Sequence, residues 1–206
     1  TGSVGKTSTK EMIASVLEQK YSVLKTEGNF NNEIGLPLTI FNIREEHEVA
    51  VLEMGINEFE EMHRLAKVAR PDICVITNIG FCHLENLIDR DGVLRAKTEM
   101  FDFMRDGAQI ILNGDDDKLI TVQNVKGITP VFFGLTERHD YYATDVHSLG
   151  LKGTSCILHL PNGTVNANIH LPGAHMVYNA LAGACVGYSL GLTNEEIQKG
   201  IESLLP

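Results

Sequence analysis

The sequence lacks tryptophan, carries few aromatics (6 %), and has no apolar run near the roughly 20 residues of a membrane-spanning helix. A membrane protein is therefore not expected, and the opening residues show no signal-peptide pattern. Cationic residues are also scarce: Lys and Arg total 17 against 27 Asp and Glu, a net charge of -10. That balance argues against binding nucleic acid or an anionic membrane through a basic face. Cysteine is sparse. Cys74, Cys82, Cys156 and Cys185 stand far apart and form no C-x-x-C pair. Reduced thiols in a cytoplasmic, monomeric protein are the expectation, in place of a disulfide framework or a zinc site. An initiator Met is missing too, and the first residues read as the middle of a structural unit, so the sequence is taken as a piece of a longer protein.

What is present is ordinary for a folded domain: 206 residues, 43 % hydrophobic and 21 % charged, with 19 Gly. A chain of this length buries about 70 % of its unfolded surface and needs no covalent staples. Helical and strand-like stretches alternate through the first two thirds. The span 6–20 places Met12, Ile13, Val16 and Leu17 at helical spacing. Apolar runs at 21–24, 49–53, 73–77, 110–112 and 131–133 predict strands, several buried on both faces. Helices are predicted at 59–69 and 93–104. Together these predict an α/β fold: a mostly parallel sheet of phosphate-loop type flanked by helices. Around 141–171 the period changes to two and a Pro-Asn-Gly turn intervenes, which predicts a small antiparallel β subdomain. A long helix is predicted at 175–190, and Thr193 with Glu196 predicts a capping box at a last one.

Gly2-Ser3-Val4-Gly5-Lys6-Thr7, followed by Ser8, matches the later part of GxxxxGK[ST]. Small residues let successive backbone N–H groups face a phosphate, the following helix adds its positive end, Lys6 reaches the β/γ-phosphates, and Thr7 offers a hydroxyl to Mg²⁺. A plain glycine turn capping a helix is the bland alternative. No NKxD segment occurs, which disfavours a GTP switch. Glu53 ends the run VAVLE, at the strand end where α/β sheets gather ligand groups, and would hold the same Mg²⁺; a surface carboxylate is the alternative. His83 follows another strand end. Lys97 lies in a helical segment and by default is a solvated lysine.

The phosphate-loop stretch from Gly2 to Lys10 resembles the ATP loop of the Mur ligases, the ATP-dependent amide-forming enzymes of peptidoglycan precursor synthesis. Segments 26–39, Leu52-Glu-Met-Gly55, 71–85, Ala96-Lys97-Thr-Glu99 and 171–182 are similar in order and spacing to the family's motifs. The resemblance spans essentially the whole chain. It implies the central ATP-binding domain of a three-domain enzyme, covering 1–206, without the N- and C-terminal domains and without the strand that leads into the phosphate loop. Segment 26–39 is most similar to the branch that joins D-Ala-D-Ala to UDP-MurNAc-tripeptide. In that chemistry ATP phosphorylates a carboxylate, and an amine then displaces phosphate from the acyl phosphate. Carried over by position, Lys6, Glu53, His83 and Lys97 are catalytic. Thr7, Glu53, His83 and Lys97 hold up to two Mg²⁺ ions, with Lys97 as a carbamate. Asn29, Asn31 and Asn32 line the substrate side, and His175 and Asn179 meet adenine. Two departures stand out: Met176 replaces an expected Asn after His175, and Glu60-Glu61 replaces a Gly-Glu pair. The alternatives are a relative that adds the third stem-peptide residue, a folylpolyglutamate synthase, or a non-catalytic ATP-binding module.

Overall fold

A computed structural model describes residues 1–205. In chain order the elements are helix α1 (Lys6–Leu17), strand β1 (Val23–Lys25), α2 (Gly35–Phe41), β2 (Val49–Val51), α3 (Glu61–Ala69), β3 (Ile73–Ile76), α4 (Leu84–Leu87) and α5 (Arg90–Thr98). They continue as β4 (Gln109–Asn113), β5 (Val131–Gly134), β6 (Tyr141–Ser148), β7 (Thr154–Leu160), β8 (Gly163–Ile169), α6 (Met176–Ser189) and α7 (Asn194–Ser203). Strands β3, β4, β5 and β6 run parallel, and β6, β7 and β8 form an antiparallel meander. The expected antiparallel segment is thus present, and β6 makes it a continuation of the main sheet.

Two apolar clusters cover the sheet. On one face α1, α6 and α7 bury Met12, Val16, Leu181 and Ile197 against Phe133 and Leu158. The other cluster joins Met62 and Leu65 of α3 and Val93 of α5 to Ile76 of β3 and Leu112 of β4. The β3 and β4 runs read as continuously apolar because both faces are covered. Two short helices, α2 and α4, were not expected. Pro37 near the start of α2 masks its periodicity, yet proline is tolerated in a first turn. The predicted helix at 93–104 begins earlier, at Arg90, because the Asp89 side chain accepts from the Gly92 N–H and caps it there.

Strands β1 and β2 pair only with each other, apart from the larger sheet. Between β2 and β3 lies a cleft of about 390 Å³, floored by Ile13, Leu17, Val186 and Leu190. Thr1 occupies its upper end. The Thr1 amine donates to the Val75 carbonyl at 2.9 Å, and the Thr77 N–H donates to the Thr1 carbonyl at 3.0 Å. The chain therefore enters its first turn along the exposed edge of β3.

Candidate active site

The opening turn is held from below by the end of β3. Gly2 is buried so closely that a Cβ there would lie 1.9 Å from the Thr77 Oγ1. Gly5 has φ 74, a left-handed conformation suited to glycine, and serves as the N-cap of α1 without a capping side chain. The first-turn N–H groups of α1 thus remain available to an anion. Two amines converge on the turn: the Lys6 and Lys97 Nζ each donate to the Gly2 carbonyl at 3.2 Å.

Lys97 is only 2 % exposed, which overturns the expectation of a solvated helix lysine. It shares the buried face of α5 with Val93 and Ala96, so a polar stretch of sequence hides a core position. Burial lowers its pKa to about 8, with the nearby Lys6 ammonium adding to the shift. The amine therefore gives up its proton at a lower pH than an ordinary lysine does.

Glu53 lies just past the end of β2 and is buried. Its N–H donates to Thr26 Oγ1 at 3.0 Å, and its Oε1 accepts from Asn31 Nδ2 at 2.7 Å. Its Oε2 is buried with no hydrogen-bond partner. An orphaned carboxylate oxygen is costly unless a cation completes it. Glu53, Lys6 and Thr9 line the same cleft. Among the described residues, no three His, Cys, Asp or Glu side chains cluster as a ready-made metal cage. A free carboxylate oxygen of this kind suits a hard cation such as Mg²⁺, which fills its remaining positions with phosphate and water oxygens.

The remaining candidates fall in separate places. Ser3 Oγ accepts from the Gly80 N–H at 2.8 Å and from Cys82 Sγ at 3.1 Å, and this brings the 80–83 segment onto the turn. His83 is exposed, with φ 53, at the start of α4. Val4 and Thr7 are exposed and Ser8 half-buried. Asn29 is exposed, and the Asn32 Oδ1 accepts from the Ile34 and Gly35 N–H groups at the start of α2. Asn179 is buried. Its Oδ1 accepts from Thr9 Oγ1 at 2.9 Å and its Nδ2 points at Met176 Sδ, so it ties α6 to α1. His175, the N-cap of α6, is exposed.

The family model for the Mur ligase middle domain matches residues 1–187. The chain belongs to the Mur ligase family. The UDP-N-acetylmuramoyl-tripeptide--D-alanyl-D-alanine ligase of Bacillus subtilis (strain 168) is 39 % identical over 206 residues, covering 99 % of this chain and 43 % of that protein. MurF from Acinetobacter baumannii superposes with a TM-score of 0.93 at 33 % identity, over 100 % of this chain and 45 % of that one. The MurF ligase from Thermotoga maritima in complex with ADP gives 0.84 at 31 % identity, over 98 % of this chain and 47 % of that one. This Mur ligase chain therefore spans a little under half the length of those relatives.

Thr77 and Asn78 are contacts that the motif reading did not assign. They form the bed of the opening turn; in sequence they stand directly after the apolar run of β3, within the 71–85 motif, with nothing there to assign them a role.

Proposed function

We propose that this chain is the ATP-binding core of a ligase joining D-Ala-D-Ala to UDP-MurNAc-tripeptide. The observation that carries the reading is the meeting of an uncapped helix N-terminus, two amines and a buried carboxylate with one free oxygen. The ADP complex of the Thermotoga maritima relative supports the choice of nucleotide.

In this reading the first turn of α1 and Lys6 bind the β- and γ-phosphates, and Thr7 and the free Glu53 oxygen hold Mg²⁺. His83, with Lys97 as a carbamate, would hold a second. Mg²⁺ held by these residues would supply positive charge against the phosphates. The substrate carboxylate attacks the γ-phosphorus in line, which forms the acyl phosphate and releases ADP. The dipeptide amine then adds to the acyl carbon, and phosphate leaves. No protein nucleophile is required; the chain aligns the reactants and stabilises charge. Asn31 orients Glu53, and in this reading Asn29 and Asn32 would serve the substrate and His175 the adenine.

The domain acts as the central part of a longer chain. The cleft between β2 and β3, with an unpaired strand edge on either side, suits a further parallel strand leading into Thr1. A cytoplasmic monomer with its four free thiols reduced completes the reading.

The test is phosphate release by the full-length protein with ATP and UDP-MurNAc-tripeptide, with and without D-Ala-D-Ala. Release that depends on the dipeptide is the expected result. Release that ignores it, or that prefers a single amino acid, assigns the chain to another branch.

A further inference from the structure

The opening turn has more N–H groups than its partners above suggest, and some of them are already taken. The Asn78 Oδ1 accepts from both the Ser3 and Val4 N–H groups at 3.0 Å. Its Nδ2 donates to the Val4 carbonyl at 3.0 Å, and its own carbonyl accepts from the Ser3 N–H at 3.1 Å. Thr77 adds a hydroxyl bond to the same Val4 carbonyl at 3.0 Å. One amide side chain thus satisfies both polarities of the turn, which an ionised carboxylate, an acceptor only, cannot.

We propose that Asn78 is the positioning residue that fixes the phosphate loop, by keeping the Ser3 and Val4 N–H groups engaged and leaving the phosphates to the N–H groups of Gly5 to Ser8. The proposal rests on the ATP-binding reading above and adds to it the group that shapes the loop. Asn78 touches no reacting atom. It acts by pre-organising the turn, so that Gly5 holds its left-handed conformation and α1 presents its first turn before nucleotide arrives. A loop left to find that shape on binding would bear an ordering cost each time. Because the brace bonds only to the turn that opens α1, its loss weakens phosphate recognition selectively.

The experiment is titration of ADP with Mg²⁺, and separately of adenosine, into the full-length protein carrying Asn78→Ala. We expect the ADP Kd to rise roughly tenfold, the loss of about one net hydrogen bond's worth of affinity, with adenosine binding unchanged. KM for ATP should rise while kcat changes little. Unchanged ADP affinity would overturn the proposal, and so would an equal loss of adenosine affinity, which indicates a general structural role. If that variant does not fold, Asn78→Asp serves instead. It keeps both acceptor bonds, sets a charge against the phosphates, and should weaken ADP further; wild-type ADP affinity in that variant is the contrary result. Failure of the unmodified protein to bind ADP would instead bring down the ATP-binding reading itself.

Discussion

The Asn31 Nδ2 lies 2.7 Å from Oε1 of Glu53, and the other carboxylate oxygen of Glu53 is buried without a partner. The amide fixes the rotation of the carboxylate and so decides which oxygen is left without a partner. Glu53→Gln should therefore lower the rate of phosphate release by at least about 100-fold, since the amide loses the charge that holds the cation. Asn31→Ala should produce a smaller loss and raise the Mg²⁺ concentration needed for half-maximal rate. A Glu53→Gln variant with the original Mg²⁺ dependence would count against the metal assignment.

Lys97 provides a second test. An amine adds CO₂ only when neutral, and burial brings this one to about 8 from the ordinary 10.5. Carbamate formation should thus increase as pH rises through that value, where an exposed lysine would remain protonated. Lys97→Ala should abolish turnover, and added short-chain carboxylic acids should restore part of it. ¹³C-bicarbonate NMR on the full-length protein should show a carbamate signal that is missing in the variant.

The contact between α1 and α7 leaves no room for a side chain at Gly200, where a Cβ would lie 2.4 Å from the Val16 Cα. The Gly200 carbonyl also accepts from the buried Ser15 hydroxyl at 2.8 Å. Gly200→Ala should destabilise the fold by about 1–3 kcal/mol despite the better helix propensity of alanine. Thermal unfolding reads this directly; an increase in Tm would contradict the packing described.

At the start of α7 the full capping box is present: Thr193 Oγ1 accepts from the Glu196 N–H at 3.2 Å, and Glu196 Oε2 accepts from the Thr193 N–H at 2.8 Å. Thr193→Ala should cost about 1 kcal/mol, a fall in Tm of roughly 2–4 °C for a chain of this size.

The sequence was most legible where one local rule governs. The Thr193 box, the glycine turn before α1 and the apolar runs of β3 and β4 follow from side-chain chemistry and spacing alone. Lys97 was illegible because its burial depends on which face of α5 meets the sheet, and a short polar helix does not display that. Asn31 and Asn32 read as substrate-facing amides, yet their bonds to Glu53 and to the start of α2 are tertiary and loop contacts that no periodicity encodes. Asn179 likewise gave a position on a helix but not its partner, Thr9, which the crossing of α1 and α6 supplies. Asn78 stood inside the 71–85 motif without a role, because its four bonds reach a segment more than seventy positions away in the chain.

A crystal structure of the full-length protein with Mg²⁺ and a non-hydrolysable ATP analogue tests the central claim most directly. The account predicts the triphosphate on the N–H groups that open α1 and a metal ion about 2.1 Å from the free oxygen of Glu53. Nucleotide bound elsewhere, or a metal out of reach of Glu53 and Thr7, would contradict it.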